Sequence, residues 1–332
     1  MMINTVVFDL DGTLTDRKTG NIPNSTIDAI QQLKQQKLVV ILATGRPYYE
    51  IDPVLINQID ADYVVSLNGR VLYDRKGKLL SHQPIDSKVV QDVIEYARNN
   101  GLEHGVHTLE NTIILAGDSI QEQIENVIKR PRDLSRSKKI NESTQVYNVM
   151  LKIEDDQQLK TFKTEFPDLI VETFGSIFYD VYTKDADKRI GVEKVFKQTN
   201  GQWSKTIVFG DGANDICMAN QASIAYAMGD SHPELLKVKD IRVTNKSDEE
   251  GVPIALRKVG LIEYSDHRHG WVQFKHRFTT TKLGAVLPIA FFLLLAFGYD
   301  QYLMDLPGQS LSFLGLGSIS LLYSIYLYLD TK

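Results

Sequence analysis

Short, uninterrupted apolar runs separated by amphipathic segments constrain this chain more than any other feature. Thr5-Val6-Val7-Phe8, Leu38-Val39-Val40-Ile41-Leu42 and Tyr63-Val64-Val65-Ser66-Leu67 are each too short for a helix that spans a core and lack the alternation of a half-exposed strand. They read as strands buried on both faces. Between the first two, Asn24 or Ser25 can cap a helix carrying Ile27, Ile30 and Leu33 on one side, and a second helix runs to about Gln58. Continuous apolar strands alternating with helices imply a parallel sheet covered on both faces.

From about Val71 to Thr183 this rhythm loosens, and it returns near Lys188. A helix is expected to about Lys197, then a strand at Thr206 to Phe209, a helix after Gly212 and a strand near Ser223 to Ala227. The fold class is therefore α/β: a doubly wound parallel-sheet core, residues 1–70 and 184–264, with an α/β cap inserted at 71–183. A length of 332 residues accommodates that arrangement. A net charge of −5 argues against a nucleic-acid partner, and the basic stretch Lys129-Arg130-Pro131-Arg132-Asp133 with Arg136 to Lys139 reads as solvated surface. The single cysteine, Cys217, excludes an intramolecular disulfide.

The chemistry sits at strand ends. Asp9-Leu10-Asp11-Gly12-Thr13 follows the first strand directly, where α/β sheets bind ligands. Two carboxylates separated by one residue can divide labour, one ionised as a nucleophile and the other passing a proton, if their surroundings separate their pKa values. Gly12 permits a sharp turn that brings backbone N–H groups near an anion. Thr44-Gly45-Arg46 follows the second long strand, and a hydroxyl beside a glycine suits a phosphate oxygen. Gly210-Asp211-Gly212-Ala213-Asn214-Asp215 follows the fourth. Asp211 and Asp215 offer the hard oxygen ligands that Mg²⁺ prefers. Lys188, just before a helix, can neutralise a phosphate and a nucleophilic carboxylate together.

In this order and spacing the four pieces resemble the haloacid dehalogenase-like superfamily, and its Cof-type phosphatases in particular, over about residues 3–260. Ser66-Leu67-Asn68-Gly69 also looks like that branch's Ser-x-Asn-Gly segment at the entry to the cap. The resemblance implies that Asp9 is the nucleophile and Asp11 the general acid and base. It implies that Mg²⁺ is held by Asp9, the Asp11 backbone carbonyl and Asp211, with Asp215 supporting the site. Leu10, Thr44, Gly45, Arg46, Asn68, Lys188 and Asn214 would contact the phosphate of a small phosphorylated substrate, and the cap would choose that substrate. The expected activity is phosphomonoester hydrolysis through an aspartyl-phosphate, on a phosphosugar or a nucleotide- or flavin-type phosphate. The alternatives are a phosphomutase or phosphotransferase with the same nucleophile, and a membrane-tethered regulatory module without catalysis. An ion pump is disfavoured by Leu10, where pumps carry lysine. One departure is Arg189, where the branch usually has glycine after the lysine.

A second departure is the C-terminus. Leu283 to Tyr299 and Ser310 to Leu329 are uncharged and mostly apolar, near the roughly 20 residues that span a bilayer as helix. They predict a two-helix membrane hairpin at about 279–299 and 310–329, entered through a polar linker at 265–282. Lys275, Arg277 and Lys282 precede it, Lys332 ends it, and the turn holds Asp300 and Asp305 without a Lys or Arg. That asymmetry puts the catalytic domain and the C-terminus on the cytoplasmic side. No signal peptide is expected, since the first residues carry neither a basic nor an apolar stretch. His267, His269 and His276 of the linker read as interfacial rather than metal-binding.

Overall fold

The computed structural model describes residues 2–127, 134–137, 139–141 and 143–263. The first apolar run forms β1 (Thr5–Phe8), buried along its whole length. Helix α1 (Asn24–Gln35) buries Thr26, Ala29, Ile30 and Leu33 at helical spacing. Neither Asn24 nor Ser25 caps it: Pro23 holds the cap position, without a side-chain bond, since its ring presets the backbone entry. Strand β2 (Val39–Ala43), helix α2 (Pro53–Ile59) and strand β3 (Tyr63–Ser66) complete the first half of the core.

Strands β4 (Val71–Asp74) and β5 (Leu79–His82) then fold back antiparallel, β4 on β3 and β5 on β4. The cap boundary expected at residue 71 thus falls inside the core sheet, which continues to His82. Ser66 pairs with Val71, and so short a return admits only an antiparallel partner, not a crossover.

The cap follows: α3 (Ser87–Asn99), β6 (His104–His107), β7 (Thr112–Ala116), α4 (Ser119–Val127), β8 (Leu134–Arg136), β9 (Asn148–Lys152), α5 (Asp156–Glu165), β10 (Leu169–Gly175) and β11 (Phe178–Thr183). Its strands form one sheet in the order β10-β11-β9-β6-β7-β8, antiparallel except between β7 and β8. Val106, Val149, Leu151 and Val181 point to one face and pack with Val90, Val93 and Ile94 of α3 and Phe162 of α5. Ile114, Met150 and Phe178 point to the other and are covered by Ile120 and Ile124 of α4. The basic stretch 129–133 lies outside the described residues.

The chain returns to the core with α6 (Lys188–Thr199), β12 (Thr206–Gly210), α7 (Ile216–Ala219), β13 (Ile224–Ala227), β14 (Arg242–Val243) and α8 (Gly251–Lys258). The core sheet has the order β14-β13-β12-β1-β2-β3-β4-β5, parallel from β14 to β3. Alternate residues split between two apolar layers. Val6, Phe8, Val40 and Leu42 meet Ile30 and Leu33 of α1 and Ala255 and Leu256 of α8. Val7, Ile41, Val65 and Val208 meet Val192, Val195 and Phe196 of α6. The chain leaves β1 toward β2 in its first half and returns to β12 on the other side. The switch point therefore lies between β1 and β12, where a sheet of this kind opens a crevice at the strand ends.

Arg70 ties the segments that enter and leave the cap. It is 1% exposed. Its guanidinium donates to the Gln83 carbonyl at 2.9 Å, to Asp185 Oδ1 at 2.6 Å and to the Thr183 hydroxyl. Among the described residues no helix is long and apolar enough to cross a membrane. The expected linker, with its three histidines, and the expected hairpin lie outside the described residues.

Candidate active site

Asp9 extends β1 by one residue, its amide donating to the Phe209 carbonyl at 3.0 Å. Its carboxylate sits at the switch point and is 5% exposed. The chain then turns: the amides of Leu14 and Thr15 both donate to the Leu10 carbonyl, and the Leu10 side chain enters the core. Leu10 can therefore meet a ligand only through its backbone. Gly12 has φ +76°, and a Cβ there would stand 2.6 Å from Asp211 Oδ2, so the turn approaches that carboxylate only because the residue is glycine. Asp11 points the other way. Its half-exposed carboxylate is gripped at both oxygens by Arg46, Nε at 2.8 Å and a terminal nitrogen at 2.5 Å.

At the end of β2, Thr44 is buried and its hydroxyl accepts from the Arg46 amide at 3.1 Å. The Asn68 amide donates to the Thr44 carbonyl at 3.1 Å, and Asn68 Oδ1 accepts from Asn214 Nδ2 at 3.0 Å. Thr44, Gly45, Asn68 and Asn214 thus gather on one side of Asp9, with Gly45 packed beside the Asn68 amide. Gly69, at φ +95°, lies so close to the Asp187 carbonyl that no Cβ fits between them. That contact seats the first turn of α6 against the β3–β4 turn. The Asp187 carboxylate caps α6 by accepting from the Arg189 amide. Lys188, in the first turn, is thereby aimed inward with its side chain fully buried. Its Nζ lies 2.7 Å from Asp9 Oδ1 and 2.7 Å from Asp215 Oδ1.

Asp211 and Asp215 follow β12. Asp215 Oδ2 accepts from the Asp211 and Gly212 amides at 3.0 Å each, which suits it to hold the turn. Oxygens of Asp9, Asp211 and Asp215 lie within 4.8 Å of one another. Burial pushes the Asp9 carboxyl well above the usual carboxylate range; Lys188 opposes the shift and Asp215 and Asp211 add to it. Burial, with Asp215, raises Asp211 to about 6, against the pull of Arg17. Burial alone would lower Lys188, but Asp215 and Asp9 outweigh it and hold the ammonium charged. A hard-oxygen donor set this close, reached by the chain because Gly12 has no Cβ, fits Mg²⁺. Asp9, Asp211 and Asp215 are the carboxylates that could hold it.

Sequence reasoning did not single out several neighbours. Arg17 pairs with Asp211 and, at 3.3 Å, with Asp230. Tyr49 and Glu50, just beyond the Thr44 segment, reach the cap. The Tyr49 hydroxyl lies 3.0 Å from His107 Nδ1 and 3.0 Å from the Thr112 hydroxyl, which donates to Glu50 Oε1 at 2.7 Å. Burial raises Glu50 to about 7, partly offset by the Thr112 hydrogen bond and by Arg46. The only hint in the sequence is a tyrosine and a glutamate following a strand-end motif, a pattern too common to mean anything alone. Arg189 turns along its own helix, to Asp187 at 3.3 Å and Glu193 at 3.0 Å, and is not placed beside Lys188 Nζ. Cys217 packs against the α6 layer with its thiol on the Asn214 carbonyl at 3.2 Å, and burial pushes it up to about 12.

A family model described as haloacid dehalogenase-like hydrolase matches residues 6–256. A Streptococcus pyogenes protein, provisionally described as a bifunctional phosphatase/peptidyl-prolyl cis-trans isomerase, is 32% identical over 263 residues, 79% of this chain. The chain spans 55% of that relative's length. Phosphatase YwpJ of Bacillus subtilis is 24% identical over 74% of this chain and 96% of its own. Among solved structures, the subclass IIB sugar phosphatase BT4131 superposes with a TM-score of 0.70 at 24% identity, covering 78% of this chain and all of the other, a likeness of fold.

Proposed function

The chain belongs to the haloacid dehalogenase-like hydrolases and is a phosphatase of that family, and from this premise we propose that it hydrolyses phosphomonoesters of a small metabolite through an aspartyl-phosphate on Asp9, with Mg²⁺ as cofactor. The observation that carries the reading is the setting of Asp9: a buried carboxylate at the switch point, 2.7 Å from the buried Lys188 ammonium and beside Asp211. When bound, Mg²⁺ supplies positive charge that offsets the repulsion between the phosphate and the carboxylates. The Thr44 hydroxyl, the Gly45 amide, Lys188 and Asn214 orient the phosphate so that an Asp9 oxygen faces phosphorus in line with the leaving oxygen. The Asp9 oxygen–phosphorus bond forms as the ester bond breaks, and Asp11 gives its proton to the leaving oxygen. Asp11, now a carboxylate, takes a proton from water, whose oxygen bonds to phosphorus as the bond from phosphorus to Asp9 breaks, so that phosphate leaves and Asp9 is freed. Arg46 grips both Asp11 oxygens, so substrate entry has to loosen the pair before Asp11 can reach the leaving oxygen.

Asp9→Asn is expected to abolish hydrolysis of an aryl phosphate while leaving the thermal unfolding of the protein cooperative. Turnover that survives in this variant, after rigorous purification, refutes the assignment. The C-terminal hairpin at 279–299 and 310–329 is proposed to anchor the catalytic domain to the cytoplasmic face of a membrane. The full chain should then stay in the membrane pellet after alkaline carbonate washing, and its recovery in the wash contradicts the anchor.

A further inference from the structure

Arg17 stands beside the acidic cluster on a loop that is itself held in place. The Asp16 carboxylate accepts from the Lys18 and Thr19 amides at 3.1 and 2.6 Å, and the Asp16 carbonyl accepts from the Gly20 amide at 2.8 Å. That turn fixes the backbone of Arg17 at the rim of the crevice, and its half-exposed side chain reaches in to Asp211. Two carboxylates share the guanidinium. A terminal nitrogen pairs with Oδ2 of the nearly buried Asp211, and Nε lies 3.3 Å from Oδ2 of the more exposed Asp230. The loop after β13 brings Asp230 there, and it is pinned to the Asp211 turn. The His232 amide donates to the Asp211 carbonyl at 2.7 Å, and the Ser231 hydroxyl to the Gly210 carbonyl at 3.4 Å. The other Asp211 oxygen accepts from the Thr13 hydroxyl at 3.3 Å.

Arg17 therefore draws on a carboxylate that a metal would also use. A Cβ on Gly12 would lie 2.6 Å from Asp211 Oδ2 and 2.7 Å from the Arg17 guanidinium carbon, so carboxylate and guanidinium converge over one glycine. A divalent cation drawing on that oxygen would meet a positive charge already in contact with it, and like charges at such separations repel strongly beside a buried group. We infer that Arg17 competes with the divalent cation for Asp211, and that Asp230 receives the guanidinium when the metal binds. The inference rests on the Mg²⁺ reading above and adds two residues that set the affinity for the metal. Asp230 suits the part because it contacts Nε, a different nitrogen from the one on Asp211. The terminal nitrogen can leave while Nε keeps its partner. The side chain is half exposed, so its rotamers can change without disturbing a packed layer. A guanidinium also keeps its charge at any working pH, so a rival cation and not deprotonation is what displaces it.

The test measures the Mg²⁺ dissociation constant of the full chain by titration calorimetry, in the wild type, Arg17→Gln, Asp230→Asn and the double variant. Calorimetry counts sites as well as affinity, so any unfolded protein lowers the site number and leaves the constant readable. Arg17→Gln is expected to bind Mg²⁺ about fivefold more tightly than the wild type, and Asp230→Asn about fivefold more weakly, the scale of a partly exposed ion pair. In the Arg17→Gln background, Asp230→Asn should change the affinity less than about twofold, because no guanidinium is left to receive. Plain subtraction of charge gives the same signs for the single variants but an equal cost of Asp230→Asn in both backgrounds. Equal costs therefore overturn the inference, as does an Arg17→Gln variant that binds no more tightly than the wild type, and in both cases the measured Mg²⁺ binding keeps the cofactor reading. Failure of the wild type and of Arg17→Gln alike to bind Mg²⁺ defeats the cofactor reading and this inference with it.

Discussion

Replacing Lys188 by methionine keeps most of the side-chain volume and removes the only ammonium among the described residues that touches the buried carboxylates. Its two contacts of 2.7 Å each represent roughly 6 kcal/mol of gross Coulomb attraction at an effective dielectric near ~20. Desolvating the ammonium offsets several kcal/mol of that, so the net worth of the pair is much smaller. Removing one partner is another matter, because Asp9 and Asp215 stay buried with no counter-charge. Loss of a partner from a buried pair costs about 3–5 kcal/mol. In Lys188→Met, urea unfolding in EDTA at pH 8 should show a deficit of that size at an unchanged m-value. The deficit should also depend on pH in a set direction. Burial already holds the Asp9 pKa above its unfolded value, and the variant raises it further. A carboxyl raised in the folded state binds a proton that the unfolded chain has released, so stability falls as pH rises through the folded pKa. At pH 5 the variant carries that proton and the deficit shrinks; at pH 8 it is largest. A deficit below about 1 kcal/mol at pH 8, or one larger at pH 5, refutes the reasoning, since either result means that the carboxylates are solvated rather than buried against the lysine.

Three further outcomes follow from the same geometry. Glu50, raised by burial to about 7, weakens the fold as pH climbs from about 4.5 to 7, so Glu50→Gln should flatten the stability–pH curve by a few kcal/mol across that window, measured by denaturant unfolding; an unchanged slope contradicts the buried setting. In Gly12→Ala, positive φ and the 2.6 Å approach to Asp211 should cost about 1–3 kcal/mol in thermal unfolding, and should weaken Mg²⁺ binding at least tenfold by titration calorimetry; wild-type affinity would show that the turn does not shape the metal cradle. Arg70→Met should lose roughly 2–3 kcal/mol of stability and speed proteolysis between cap and core, because the buried guanidinium links Gln83 to Asp185; intact protease resistance would place the linkage elsewhere.

The core was legible because both of its codes are local. Runs such as Val39-Val40-Ile41-Leu42 announce strands buried on two faces, and a strand end is where acidic and glycine-rich turns collect. So Asp9, Thr44, Lys188 and Asp211, spread over some two hundred residues of chain, could be referred to one crevice before any contact was seen. The edge of the core was not legible. Val71 to His82 alternates weakly, and nothing local says whether a hairpin joins the sheet before it or after it. Only the short return from Ser66 to Val71 decides that. The cap side of the site was hidden for a related reason. Thr112, His107, Asn148 and Asp180 come from four strands whose register is set by tertiary pairing, so no spacing in the sequence connects them. Arg17 and Glu50 were missed because a charged residue shortly after a motif is usually at the surface.

The charges of the site argue for its cofactor without reference to relatives. Asp9, Asp211 and Asp215 face Lys188, and among the described residues Lys188 is the one cation buried among them; Arg17 reaches Asp211 from a side chain that is half exposed. Three carboxylates against one buried ammonium leave a negative excess. Burial, with the neighbouring carboxylates adding to it, keeps Asp9 above its usual pKa, which is the wrong state for a nucleophile. A phosphate dianion arriving at this site would deepen the excess and raise Asp9 further. Another positive charge must therefore enter with the phosphate or before it, for Asp9 to be ionised when phosphorus is in reach. Arg17 can compensate only in part, since an exposed guanidinium is screened by water. A divalent cation on Asp9 and Asp211 corrects both faults at once: it lowers the nucleophile's pKa and shields the incoming phosphate. The proposed Mg²⁺ thus draws Asp9 toward the anion that its role as nucleophile requires. Titration should then find the Asp9 pKa lower with Mg²⁺ bound than without it, and Mg²⁺ binding should release protons. Mg²⁺ binding with no proton release, measured by calorimetry in buffers of different ionisation enthalpy, would break the link between the charge excess and the cofactor.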